Sequence, residues 1–192
     1  MGIKHLIIYA HPNPQSFNNA ILQAVVGASE ARGDEVVVRD LYALGFQPSL
    51  GVADFVEMKA GKVQADVGEE QRLVTWAEQL TFIYPLWWTG FPAILKGYID
   101  RVFIYGFAYQ YGASGIEGLL KQKQVLLLTT QGTPAPVYEG NGMFEAIRKT
   151  QDKGVFAFCG MDVKAHHFFA GVPMVDDAVR KGYLEEAKAA LG

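Results

Sequence analysis

Three short stretches of this chain concentrate side chains that could hold a flat, polar ligand. The first is His11-Pro12-Asn13-Pro14-Gln15-Ser16-Phe17-Asn18. It leads into a segment where Phe17, Ile21, Ala24, Val25 and Ala28 recur at helical spacing. A helix start leaves backbone N–H groups free, and its dipole favours an anion. The stretch therefore reads as a phosphate cradle, with Ser16 and Asn18 as neutral donors and His11 as a proton-bearing nitrogen. The same residues equally admit Ser16 as a plain N-cap and His11 as a loop residue.

The second stretch runs Tyr84-Pro85-Leu86-Trp87-Trp88-Thr89-Gly90-Phe91-Pro92. Paired indoles after an apolar run offer a wall for a planar ring, and Gly90 allows close backbone approach. Alternatively both indoles pack into the core or a subunit contact. The third stretch, Thr129-Thr130-Gln131-Gly132-Thr133-Pro134 followed by Tyr138, carries hydroxyls and an amide but no charge. That set suits a heterocycle edge bearing carbonyls and ring nitrogens, or an ordinary polar turn. Phe107, Tyr109 and Tyr111 alternate, as in a strand or extended loop with one aromatic face.

Other chemistries lack their residues. Neither a G-x-x-x-x-G-K-[ST] nor a G-x-G-x-x-G pattern occurs. Adjacent His166 and His167 in a strand point to opposite faces, so no metal site is expected. The lone Cys159 follows an apolar stretch and reads as a buried, unreactive thiol.

These stretches need elements to hold them. Apolar runs at 6–10, 80–84 and 125–128, with a valine-rich run at 35–39 and a further one at 163–170, read as strands. Helices are expected from Phe17 to Gly33, over 69–79, over 93–103 and over 176–191, with a short one at 52–58 in a loop-rich region. Strands alternating with helices predict an α/β domain, a parallel sheet with helices on both faces. Ligands then bind beyond the carboxyl ends of the strands, where all three stretches lie.

Composition sets the outer bounds. The chain has 192 residues, 50% hydrophobic and 19% charged, enough for one domain spanning 1–192 with a sizeable core. A net charge of −3 without a Lys/Arg run argues against nucleic acid. No signal-like segment or long apolar run is found, so a cytoplasmic protein without membrane insertion is expected.

The same residues carry a resemblance. Pro85-Leu86-Trp87-Trp88-Thr89-Gly90-Phe91-Pro92-Ala93-Ile94-Leu95-Lys96-Gly97, joined to Asp100-Arg101-Val102-Phe103, resembles the NAD(P)H:quinone oxidoreductase family. The His11-to-Asn18 loop, Phe107-Ala108-Tyr109-Gln110-Tyr111 and Thr129-Thr130-Gln131-Gly132 match in order. The family includes bacterial modulators of drug activity and ancillary proteins of potassium efflux systems. The resemblance implies a flavodoxin-like doubly wound sheet of five parallel strands, order 2-1-3-4-5.

It also implies a non-covalent flavin, FMN or FAD, with NADH or NADPH as electron donor. His11, Ser16, Phe17 and Asn18 would hold the phosphate, while Pro85, Leu86, Trp87 and Trp88 would line the ring. Thr129, Thr130, Gln131 and Gly132 would meet its polar edge. Tyr138 would be the catalytic residue near the pyrimidine, with Phe144 standing where mammalian-type relatives have a histidine. Tyr109, Tyr111 and Trp88 would face a quinone or similar planar acceptor, in a homodimer whose sites lie at the subunit boundary. The implied reaction is a ping-pong exchange, hydride passing through flavin N5. The alternative is a flavin-binding regulatory subunit of a potassium–proton antiporter.

Overall fold

The computed structural model describes residues 2–113 and 115–192. Strand β1 (Lys4–Tyr9) leads through a short loop to helix α1 (Phe17–Arg32) and strand β2 (Glu35–Asp40). Gly33 ends α1 in the left-handed region at φ 87°, a conformation with little cost for glycine alone. Helices α2 (Val52–Lys59) and α3 (Ala65–Trp76) precede strand β3 (Gln79–Pro85) and helix α4 (Ala93–Val102). Strands β4 (Tyr109–Gly112) and β5 (Gly115–Gly118) form an antiparallel pair. Strand β6 (Gln124–Thr130) is followed by short helices α5 (Ala135–Gly140) and α6 (Met143–Ile147) and a π-helical segment, Arg148–Ala157. Strand β7 (Asp162–Phe169) and helix α7 (Asp177–Ala189) complete the described chain.

The main sheet is parallel, in the order β2-β1-β3-β6-β7. With β6 and β7 as its fourth and fifth strands, this is the order the resemblance implies. Central strands are apolar on consecutive residues because both faces are covered. Leu6, Ile8, Leu80, Phe82 and Leu127 pack into one core; Ile7, Tyr9, Ile83, Leu126 and Leu128 pack into the other. Alternation along each strand thus builds two cores from one run.

The departures have tertiary causes. A helix expected over 69–79 instead runs Ala65–Trp76, because its first turn is captured from outside. Arg101 of α4 binds Asp66 at 2.6 Å and Asp54 at 2.8 Å and donates to the Gln47 carbonyl, tying α4 to α2, α3 and the loop before α2. Gly97 lets α4 press against Pro48, where a Cβ would come within 2.1 Å of the backbone oxygen. Gln79 belongs to the sheet, paired with His5 and Gln124. Pro92 is the N-cap residue of α4. The aromatic alternation at 107–111 is realised as a strand only from Tyr109, in a hairpin outside the main sheet. Among the described residues no helix is long and apolar enough to cross a membrane.

Candidate active site

The loops after β1, β3 and β6 meet at the carboxyl edge of the sheet. They enclose a cleft of about 210 Å³ whose walls include His11, Ser16, Asn18, Trp87, Thr130 and Gln131. Phe17, Pro85, Leu86 and Gly132 complete the predicted part of the lining. Ten of the residues singled out from sequence therefore share one cavity.

Each loop is held by identifiable bonds. Asn13 Oδ1 accepts from the Gln15 N–H at 2.8 Å, and the Ser16 N–H donates to the Asn13 carbonyl, closing the turn into α1. Ser16 Oγ caps α1 by accepting from the Asn19 N–H at 3.2 Å. The Phe17 and Asn18 N–H groups of the first turn stay available, as in any helix. His11 Nδ1 lies 3.1 Å from the Asn13 nitrogen and 3.3 Å from the Asn13 carbonyl, so the turn can accept a proton from it or donate one to it. Burial holds the His11 imidazole below the usual histidine range, opposed by its bond with Asn13.

The loops are also tied to one another. Asn18 Nδ2 donates to Thr130 Oγ1 at 2.7 Å across the cleft floor. The Leu86 N–H donates to the Thr130 carbonyl at 2.8 Å. Gln131 receives the Val172 N–H on its carbonyl, which brings Val172 and Pro173 into the lining. These two residues were missed in the sequence. They follow the fifth strand, so the rule that pointed to the other loops would have found them.

The second loop is a strained hairpin. Trp87 and Gly90 exchange backbone bonds, leaving Trp88 at φ 52° and Thr89 at φ 60° as the two turn residues. Type I′ turns of this kind favour Asn-Gly, and each left-handed non-glycine residue costs about 1–2 kcal/mol. The turn leaves the Trp88 side chain fully exposed and outside the cleft lining, while Trp87 lines the cleft 6.0 Å from His11.

Two buried amide oxygens, Asn18 Oδ1 and Gln131 Oε1, have no hydrogen-bond partner among the described residues. Both belong to residues that line the cleft. A buried acceptor without a donor costs about 1–3 kcal/mol, so these groups fit a ligand that supplies the missing bonds.

Other predicted residues lie elsewhere. Thr129 is next to the cleft, but its hydroxyl faces His166 and the His167 carbonyl. Tyr138 stands on α5, edge-on to Phe144 at 5.5 Å, in a groove along β7 rather than in the cleft lining. Tyr109 packs on Phe158 at 5.2 Å, and Tyr111 is 72% exposed beside Tyr105. Neither tyrosine lines the cleft of its own chain. His166 and His167 do point to opposite sides, towards Asp152 and Glu186 respectively. Cys159 is buried, and burial pushes its thiol up to about 11.

The family model described as flavodoxin-like fold matches residues 3–191. An uncharacterized NAD(P)H oxidoreductase from Haemophilus influenzae is 37% identical over 186 residues, covering 96% of this chain and 92% of that protein. The NAD(P)H:quinone oxidoreductase from Methanothermobacter marburgensis superposes with a TM-score of 0.89 at 31% identity, covering 99% and 96% of the two chains. More distant is general stress protein 14 from Treponema denticola, solved in complex with FMN. It aligns at TM-score 0.66 and 26% identity over 98% of this chain and 95% of that one. On this fold, this cleft and these relatives, the chain belongs to the NAD(P)H:quinone oxidoreductase family with a flavodoxin-like fold.

Proposed function

We propose that this protein is a flavin-dependent NAD(P)H dehydrogenase that reduces a quinone or similar planar acceptor by two electrons. The observation that carries this reading is the convergence of three uncharged loops on one cleft, with two buried amide oxygens awaiting donors. The donor set fits a flavin nucleotide, FMN or FAD. The free N–H groups of α1, with Ser16, Asn18 and His11, suit its phosphate. Pro85, Leu86 and Trp87 suit the face of its ring, and Thr130, Gln131 and Gly132 its hydrogen-bonding edge. A bound flavin would supply the hydride chemistry between reduced nicotinamide and the acceptor.

The chain's part is to bind, orient and exclude water. The strained Trp87–Gly90 turn fixes the mouth before any substrate arrives, so little ordering remains to be done there. Tyr138 is assigned, by the resemblance, to stabilise negative charge at the pyrimidine edge.

The protein works as a cytoplasmic homodimer in this reading. Val52, Phe55 and Val56 of α2 are 82%, 52% and 59% exposed. They adjoin a 560 Å³ apolar hollow that includes Phe55, Tyr105, Tyr109 and Phe158. A second copy covering this face would bury it and bring Tyr109 and Tyr111 to the neighbouring cleft.

The purified protein should be yellow, release FMN or FAD on denaturation, and turn over a benzoquinone with NADH or NADPH. A colourless protein that no flavin reconstitutes overturns the reading. Bleaching by NAD(P)H without quinone turnover favours the regulatory alternative.

A further inference from the structure

Thr130, Gln131 and Gly132 follow one another where β6 ends, and all three line the cleft. Gln131 is the most constrained of them. It is buried, and its backbone is spent: the N–H donates to the Phe169 carbonyl at 3.0 Å, and the carbonyl accepts from the Val172 N–H at 3.1 Å. Its side-chain Nε2 donates to the Thr133 carbonyl at 2.9 Å. A carbonyl only accepts, so this bond settles which end of the amide is nitrogen. The other end, Oε1, is buried without a partner among the described residues.

The flanking residues have the opposite function to offer. Thr130 Oγ1 accepts from Asn18 Nδ2, which leaves its own proton without an acceptor among the described residues. The Gly132 N–H makes no hydrogen bond among them either. In chain order the strand end therefore offers a donor, an acceptor and a donor. The complement is an edge that presents acceptor, donor and acceptor, which is a CO–NH–CO imide. On an oxidised isoalloxazine ring the imide N–H is the only polar hydrogen, and a carbonyl stands on each side of it.

Two observations favour Gln131 over Asn18, the other residue with an orphaned oxygen, as the partner of that hydrogen. The Leu86 N–H donates to the Thr130 carbonyl at 2.8 Å, so the apolar wall of Leu86 and Trp87 is tied to this strand end. Asn18 instead belongs to the first turn of α1, beside the free N–H groups that suit an anion.

We propose that Gln131 is the specificity-determining residue for the ring: its amide oxygen accepts from the imide N–H, while Thr130 and Gly132 donate to the carbonyls on either side. This rests on the reading of the cleft as a flavin site and goes beyond it by naming the group the ring must offer. A ring blocked at the imide nitrogen leaves Oε1 buried and unpaired, which costs about tenfold or more in affinity.

The test titrates the flavin-free protein with whichever of FMN and FAD it binds, and with the 3-methyl derivative of that nucleotide, following flavin fluorescence. The derivative keeps both carbonyls and the whole side chain and lacks the imide hydrogen. The parent should bind it about 10- to 100-fold more weakly. Q131M keeps the length of the side chain without its oxygen, and there the two ligands should bind within about threefold of each other. In N18A the parent's difference should persist. Equal binding of the two ligands by the parent overturns the proposal and leaves the flavin reading standing. This arm needs no variant, so it decides even if Q131M does not fold. A difference kept in folded Q131M is steric and overturns the proposal, and a difference lost in N18A assigns the hydrogen to Asn18 and overturns it too. Failure of both FMN and FAD to bind overturns the flavin reading itself and this proposal with it.

Discussion

The two ends of the central strands carry buried polar clusters of opposite character. Towards the amino end, His5 of β1 bonds Ser29 Oγ at 2.9 Å and Thr81 Oγ1 at 2.8 Å, so both ring nitrogens are satisfied. At the carboxyl end, Asn18 is tied to Thr130, yet the amide oxygens of Asn18 and Gln131 have no partner among the described residues and the adjoining turn is strained. Both clusters are equally out of water. The difference separates two roles: a closed network fixes α1 to the sheet, whereas an open one, in the proposed function, keeps bonding capacity for a ligand.

The sharpest way to break this comparison is to delete His5. H5A leaves Ser29 and Thr81 unpaired beside a cavity and should cost about 3–4 kcal/mol in urea unfolding. Flavin affinity of the folded fraction should stay within about twofold of the parent. A loss of affinity comparable to the loss of stability would mean the two ends are not independent.

The same histidine predicts an acid limb. Burial, with Asp34 opposing and Arg32 assisting, lowers His5 from 6.5 to about 4. The folded ring stays neutral where the unfolded one binds a proton. Its contribution is complete above pH 6.5 and is lost as pH falls towards 4, to a total of about 3 kcal/mol. The urea midpoint measured against pH should show this slope, and the slope should be shallower in H5A.

At the open end the expected signature is reversed. N18A removes a partnerless oxygen together with the Thr130 bond, so stability should change by less than about 1 kcal/mol. Flavin binding should weaken by about 30- to 100-fold, read by fluorescence quenching. Destabilisation without loss of binding would make Asn18 a structural residue like His5.

The smallest effect is at the turn. T89G relieves a β-branched residue at φ 60° and should stabilise the fold by about 0.5–1 kcal/mol while raising the KM for the acceptor. An unchanged KM would remove the turn from the substrate path.

Much of this architecture follows from local pattern. Consecutive apolar residues at 6–10, 80–84 and 125–128 can only be strands covered on both faces, and Ser16 announces α1. Loop chemistry after three of those strands named ten of the cleft residues. The π-helical segment escaped, because the residues that face inward include polar Gln151 and Asp152 and, with buried Phe156, follow no apolar helical period. Their reason for facing inward lies far away in the chain: Gln151 accepts from the Tyr84 hydroxyl and Asp152 meets His166.

The dividing line is the range of the forces involved. Hydrophobic periodicity, capping and turn preferences act between near neighbours, so residue order alone dictated the strands, α1 and the loops able to hold a ligand. The Asn18–Thr130 bond, the Arg101 pairs with Asp54 and Asp66, and the direction of Thr129 join residues 112, 47, 35 and 37 positions apart. Such contacts exist only once the sheet has closed. Folding therefore settled which polar groups are satisfied, which are left open at the cleft, and that Tyr109, Tyr111 and Tyr138 stand outside it.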